Sequence, residues 1–227
     1  MKYLVISAHP DDEVLGCGGS MAKWAKNGNE VNLLIMAEGL TSRDDKRNVA
    51  LKKQELINLK KATKNSGEII GIKTIQALNY PDNRMDSVDL LDVVKDVESF
   101  LEKIKPDIVL THHISDLNID HQIIHKAVLT AVRPQPKQTV KYLLSFEVPS
   151  STEWQSTTST DHFIPNWFED ISETLDIKLA ALKCYGNEIR QWPHARSLES
   201  VKHLAKWRGS SVGIDAAEAF MLIRALN

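Results

Sequence analysis

Apolar and polar positions along this chain follow two alternating rhythms. Near-continuous apolar runs occur at Lys2–Ala8, Glu30–Met36, Thr74–Leu78, Asp107–His113 and Tyr142–Val148. Such runs predict strands covered on both faces. Helical spacing lies between them, at Val14–Lys26, Asp44–Lys64, Asp86–Lys103 and Asp120–Val132. The third is the clearest, with Leu90, Val94, Val97, Leu101 and Ile104 at steps of four and three. Asp86-Ser87 supplies a start signal, and Pro106 marks the restart into the next strand.

The alternation predicts an α/β fold of Rossmann-like type: a mostly parallel central sheet, helices on both faces and right-handed crossovers. In such sheets, sites lie beyond the carboxyl ends of the strands. That rule places His9–Glu13, Met36–Arg43, Tyr80–Arg84 and His112–His121 on one rim. After about Pro134 the rhythm breaks. Pro134, Pro136, Pro149 and the Ser/Thr cluster Ser150–Thr160 predict an irregular C-terminal lobe. Helices are expected at Ile171–Tyr185, Leu198–Arg208 and Asp215–Leu226. The expected organisation is one domain over 1–227, with an α/β core at 1–133. The C-terminal strand, loops and helices of 134–227 complete its site.

Composition narrows the classes. The 227 residues are 42% hydrophobic and 26% charged, with a net charge of -2, enough to build a core without a basic field. Nucleic acid is therefore not an expected partner. No apolar stretch approaches the ~20 residues of a membrane span, and the short first run is no signal peptide. Cys17 and Cys184 form neither a disulfide framework nor a CxxC site. A cytoplasmic location is the default expectation.

The chemistry concentrates where the first strand ends, in His9-Pro10-Asp11-Asp12-Glu13. Gly16-Cys17-Gly18-Gly19 and Glu38 invite a non-catalytic, nucleotide-binding Rossmann reading. Against it, the glycines do not follow the strand directly, and three carboxylates would occupy the pyrophosphate position. Capping by Asp11 or Asp12 needs neither the histidine nor two further acids. A divalent metal compensates the charge better. His9 and Asp12 are three apart across Pro10 and offer a nitrogen and an oxygen to one ion. Asp11 is the nearest acid not needed as a ligand. A catalytic zinc site takes three protein ligands and leaves a place for water. The segment "THHISDLNIDHQIIH", Thr111–His125, supplies His121 as the preferred third ligand. His125, four residues on, is read as supporting or packed.

These residues resemble a known family. "AHPDDE", Ala8–Glu13, followed by glycines and a helix, is similar to the signature of the PIG-L/LmbE-like zinc N-deacetylases. Asp116-Leu117-Asn118-Ile119-Asp120-His121 is similar to that family's second metal motif, and "AEAF" (Ala217–Phe220) fits late in the chain. The resemblance implies a zinc-dependent hydrolase that removes acetyl from an N-acetylglucosamine-type sugar conjugate, with a metal-bound water as nucleophile. His9, Asp12 and His121 match the ligands of Zn2+ or another divalent ion, and Asp11 matches the general base. Asn118 stands where some members carry a histidine. Lys52 stands where some carry a substrate-holding arginine, a fork that lysine does not reproduce. Metal-dependent deacylation of a non-sugar N-acyl amine is the alternative.

Other residues are substrate-side or supporting candidates. Glu13 would support the loop, and Asp82 would meet sugar hydroxyls. Arg43 would meet an anionic group, and Asp120 belongs to the second motif. "RQWPHARS" brings His194 toward the site, with Trp192 as a face for a sugar ring and its arginines for an acidic group. His194, His112 and His113 are candidate second acids for the leaving amine. Trp24, Trp154, Trp167 and Trp207 are read as core or interface residues. A helix carrying AEAF would offer a face to a second copy, which makes a homo-oligomer a candidate state.

Overall fold

The computed structural model describes residues 1–136, 138–156 and 161–226. Seven strands among them form one sheet: β1 (Lys2–Ser7), β2 (Glu30–Ala37), β3 (Thr74–Tyr80), β4 (Ile108–His112), β5 (Tyr142–Phe146), β6 (Trp167–Asp170) and β7 (Ala217–Ala225). Their order is β3-β2-β1-β4-β5-β7-β6. The first five in that order pair in parallel, while β7 runs antiparallel to both β5 and β6. The chain winds outward from β1 to β3 and then crosses back to β4. The switch point, where α/β sheets open a crevice, is therefore between β1 and β4.

Six α-helices among the described residues cover the sheet: α1 (Asp12–Lys26), α2 (Lys53–Ile70), α3 (Leu90–Ile104), α4 (Ile119–Ala131), α5 (Leu175–Lys183) and α6 (Leu198–Ser210). Successive β1 side chains point to opposite faces. Val5 packs in a core built from β2, α1, α2 and α5, whereas Leu4 and Ile6 pack in one built from α3 and α4. The expected two-sided sheet is thus present.

Helix boundaries differ from the pattern reading in places. α2 begins at Lys53 rather than Asp44, because Thr41–Arg43 form an isolated 3₁₀ turn and the chain stays irregular after it. It runs through Gly67, where the Ile75 side chain fills the space of the missing Cβ, and stops at Gly71 with φ 88°. α5 is shorter than Ile171–Tyr185, since residues 171–174 form a turn after β6, a strand the pattern did not reveal, and the helix ends at Lys183. The last expected helix is wrong: Ala217–Ala225 is strand β7, inserted between β5 and β6. "AEAF" is consequently buried and offers no helix face to a second copy. Trp24 is buried and stacks on Tyr3 at 4.1 Å, while Trp154 and Trp207 are more than half exposed rather than in the core.

The burial of β7 explains how the C-terminal part grips α1. Glu218 accepts hydrogen bonds from the backbone N–H of Gly19 (2.9 Å) and Ser20 (2.7 Å). Lys178 of α5 donates to Leu15 O (2.8 Å) and to Glu218 (2.5 Å). Both charged side chains are buried. A Cβ at Gly16 would stand 2.5 Å from the Phe146 ring, and one at Gly19 would stand 2.8 Å from Ile171. The glycines therefore admit close neighbours to α1 rather than a phosphate. Removing one member of a buried ion pair leaves an uncompensated charge, at a cost of about 3–5 kcal/mol. Glu218→Ala is expected to lower the urea midpoint by that much stability, and adding Lys178→Met to recover most of it.

Candidate metal centre

β1 passes through Ala8-His9-Pro10-Asp11 into the first turn of α1, and β4 passes through residues 113–118 into α4. β1 and β4 are neighbours, so the two loops meet over the switch point. There His9, Asp12 and His121 converge. Asp12 Oδ2 lies 3.3 Å from His9 Nδ1 and 3.2 Å from His121 Nε2. One ligand atom from each residue falls within 4.8 Å of the other two. Asp12 and His121 are fully buried.

Two buried atoms of this set, Asp12 Oδ1 and His121 Nε2, have no hydrogen-bond partner among the described residues. Each such atom costs about 1–3 kcal/mol, and more if charged. A cation between them removes the penalty. Two imidazoles and a carboxylate suit zinc and neighbouring divalent ions, so the residues fit such an ion.

A carboxylate stands behind each imidazole, as around metal-binding histidines. His9 Nε2 lies 3.0 Å from Asp120 Oδ2 and 3.2 Å from Asp82 Oδ1. Asp120 is fixed by the N–H groups of Asn83 (2.7 Å) and Met85 (3.0 Å), and Asp82 by Ser42 N (3.0 Å) and Asn83 Nδ2 (2.9 Å). His121 Nδ1 faces Asp116 Oδ1 at 3.1 Å. Asp116 also accepts from the hydroxyls of Ser151 and Thr152.

Charge is distributed unevenly. Burial opposes a proton on His121, but the Asp12 and Asp116 carboxylates outweigh it and raise its pKa to about 9. His9 rises well above its ordinary value in the same way, with Asp12 and Asp120 overcoming burial. Burial would raise Asp12, yet His121 and His9 hold it well below the usual range. Burial does raise Asp11 strongly; the Arg196 cation pulls the other way and the Asp12 charge adds to the rise. Burial also lifts Glu13 to about 7, against the hydrogen bond from Tyr185.

Asp11 precedes α1 with φ 117°, and its side chain makes no cap hydrogen bond. Instead it accepts from Arg196 Nη1 at 3.1 Å, while Arg196 Nε donates to Ser150 Oγ at 2.6 Å. Glu13 accepts from the Asp11 N–H (3.0 Å) and the Tyr185 hydroxyl (2.6 Å), so it braces the turn.

The other candidates are placed as follows. Asn118 caps α4 by accepting from Asp120 N (2.9 Å) and donates to Asn83 Oδ1 (2.8 Å). Arg43 pairs with Glu188, whose charge reaches Asp11. Lys52 pairs with Asp44 and Glu55 at the start of α2, so its recorded partners are not at the metal cluster. His112 stacks on His121, with centroids 3.8 Å apart, and its Nε2 accepts from the Ala8 N–H (2.8 Å). Burial, reinforced by His121, holds His112 well below its ordinary pKa, which favours the neutral ring and leaves no imidazolium proton to donate. His113 is bound to the Asp161 carbonyl, and His194 Nδ1 accepts from the Arg196 N–H. His125 supports the β4 end through the His112 carbonyl (2.8 Å). Sequence reading missed Arg196 as the partner of Asp11, together with Tyr185 and Glu188. Only Arg196 carried a signal, as an arginine in an irregular segment rich in polar and aromatic residues.

The sheet order and the rim cluster define a Rossmann-like enzyme with a candidate metal centre at its switch point. Residues 4–132 match the PIG-L family, described as GlcNAc-PI de-N-acetylase. The Uncharacterized deacetylase YaiS of Escherichia coli (strain K12) is 31% identical over 186 residues, covering 79% of this chain and 88% of that one. The Probable N-acetyl-alpha-D-glucosaminyl L-malate deacetylase 2 of Bacillus cereus is 25% identical over 187 residues, 82% of either chain. Among solved structures, N,N'-diacetylchitobiose deacetylase from Pyrococcus horikoshii superimposes with a TM-score of 0.77 at 22% identity, covering 98% of this chain and 84% of that one. That likeness concerns the fold. The chain belongs to the PIG-L/LmbE-like family and is an amidohydrolase of the N-deacetylase class.

His9 and His121 would bind a metal as neutral imidazoles, while the neighbouring carboxylates raise the proton affinity of both, that of His121 to a pKa of about 9. Loading Zn2+ at pH 7 is therefore expected to release protons. Apparent affinity should climb as pH rises toward about 9. Calorimetric titration in buffers of different ionisation enthalpy measures the number. A slope near zero would contradict the charge assignment.

Proposed function

We propose that this chain is a zinc-dependent hydrolase that removes the acetyl group from an N-acetylglucosamine-type sugar conjugate. The observation that carries this reading is the buried His9–Asp12–His121 donor set, in which Asp12 Oδ1 and His121 Nε2 have no hydrogen-bond partner among the described residues, lying beside an aspartate that is held from outside the set. An ion held there supplies Lewis acidity, which acidifies water toward a pKa of ~7 and polarises a carbonyl oxygen.

The chain's own residues do the rest. Asp11 is the base: its carboxylate takes the proton of the water that adds to the amide carbon, and returns it to the departing nitrogen. Water and the amide thus become acetate and a free amine. Burial raises the proton affinity of Asp11, which suits a group that must accept a proton and then return it. Arg196 orients that carboxylate, and Glu13 with Tyr185 fixes the backbone beneath it. Asp120 and Asp116 orient His9 and His121.

The N-acetyl amino sugar is supported by the family description and by the substrate in the name of the Bacillus relative. We read 1–227 as one catalytic unit, since Arg196 and Glu218 reach the first loop and first helix. No described helix is long and apolar enough to cross a membrane, and the free thiols Cys17 and Cys184 suit the reducing cytoplasm.

Acetate release from a panel of N-acetylglucosamine conjugates and non-sugar N-acetyl amines, with chelation and Zn2+ add-back, tests the reading. Turnover of the non-sugar amines alone would replace the sugar assignment, and turnover unaffected by chelation would remove the metal. Asp12→Ala is expected to lose bound metal. Asp11→Asn should keep it while kcat falls by about 10²–10⁴; the opposite pattern would exchange the two roles. Arg196→Met should retain metal and lower kcat by about tenfold or more, the worth of one charged hydrogen bond.

A further inference from the structure

The proposed reaction uses His9 and His121 but leaves out a third histidine beside them, His112. This residue ends β4, is fully buried and meets the donor set at three points. Its ring stacks on that of His121, with centroids 3.8 Å and planes 20° apart. Its Nε2 accepts the N–H of Ala8 (2.8 Å), the residue before His9, and lies 3.7 Å from Asp12 Oδ2. The ring also meets Phe146, its register partner on β5, with centroids 4.7 Å apart. Phe146 in turn fills the space beside Gly16 of α1.

Placement alone would let His112 hold an ion itself. His112, Asp116 and His121 offer donor atoms within 4.8 Å of one another. The hydrogen bond from Ala8 argues otherwise. It occupies the lone pair of Nε2, and a neutral imidazole that accepts at Nε2 carries its proton on Nδ1. Neither nitrogen is then left for a cation.

The bond to Ala8 also explains why a histidine stands there. The β1–β4 register runs only to Val5–Leu110, so at Ala8 the side chain of His112 takes the place of the sheet. The Ala8 carbonyl is held on the other side by Ala37 N (2.8 Å). His112 Nδ1 is buried without a hydrogen-bond partner among the described residues, a cost that an apolar ring would avoid. An apolar ring would instead orphan the N–H of Ala8, and with it release the strand end that carries His9.

We propose that His112 is a positioning residue, a neutral Nδ1–H imidazole that fixes the strand end before His9 and the ring plane of His121 without binding the ion. The inference rests on the metal reading above and adds what holds its two histidines in one geometry.

Three measurements test it: Zn2+ affinity, the visible absorption of the Co2+-loaded protein, and nitrogen–proton correlation spectra of the imidazoles. His112→Phe keeps a ring and loses the acceptor, whereas His112→Gln keeps an acceptor and loses the ring. Each is expected to raise the Kd for Zn2+ about 10–100-fold. Each should also alter the Co2+ bands, which follow coordination geometry. Val109→Ala, in the same strand and buried in the core, should lower the urea midpoint and leave affinity and bands unchanged. Parent affinity and parent bands in both His112 variants would overturn the role. An equal loss of affinity in Val109→Ala would do the same, by reducing the effect to stability. If the parent protein binds neither ion, the metal reading fails on its own. The correlation spectrum of the metal-free protein then decides the positioning role, with the His112 signals identified by their loss in His112→Phe. A proton on Nδ1 and none on Nε2 upholds it; a proton on Nε2 rejects it.

Discussion

Three consecutive carboxylates buried in one turn are the constraint on which the structure depends. Asp11, Asp12 and Glu13 are each 2% exposed or less. Two like charges 4 Å apart repel by about 4 kcal/mol at the effective dielectric of a protein surface. The fold answers each one differently. Asp12 and Glu13 sit in the first turn of α1, at the positive end of the helix dipole. Arg196 meets Asp11, the Tyr185 hydroxyl and the Asp11 N–H meet Glu13, and His9 and His121 meet Asp12. None of these partners is spare. The turn can exist only if β4, α4 and the C-terminal segment are already in place.

That dependence explains why α1 is gripped so closely. On the proposed function, a helix whose first turn positions a reacting group must not rock. Phe146 and Ile171 occupy the space beside Gly16 and Gly19, and Lys178 with Glu218 binds the backbone at Leu15, Gly19 and Ser20. A phosphate-binding turn would need the same glycines to face outward. Here they face neighbouring side chains, which is why a glycine-rich first helix does not imply a nucleotide.

How much was legible in the sequence follows from where the information lies. His9, Asp12 and Asp11 share one loop, and His121 shares its segment with Asp116 and Asp120, so the cluster could be assembled from two short stretches and a parallel-sheet rule. Four strands, β1, β2, β4 and β5, were legible because two-sided burial writes a continuous apolar run, and the half-exposed edge strand β3 was legible from a shorter one. β7 was not: "AEAFMLIRAL" is rich in helix formers, and only its position between β5 and β6 makes it a strand. The Arg196–Asp11 contact spans 185 positions, and no local pattern encodes it. Asn118 illustrates a third case, in which a position singled out for chemistry also serves as the cap of α4.

The two adjacent aspartates end up with opposite electrostatics because the backbone separates them. Asp11 adopts φ 117°, a conformation that costs a non-glycine residue about 1–3 kcal/mol. It leads its side chain to Arg196, which also donates to Ser150, while Asp12 enters the helix facing the histidines. Were Asp11 helical, both carboxylates would be drawn toward the same cations. Burial could then not raise one while the histidines depress the other. The strain is local, but what sustains it is not: Glu13 braces the Asp11 N–H, and Tyr185 braces Glu13 from the C-terminal half of the chain. The distinction we propose, between a group that holds a cation and a group that moves a proton, thus rests on one unfavourable dihedral angle, kept in place by residues more than 170 positions away.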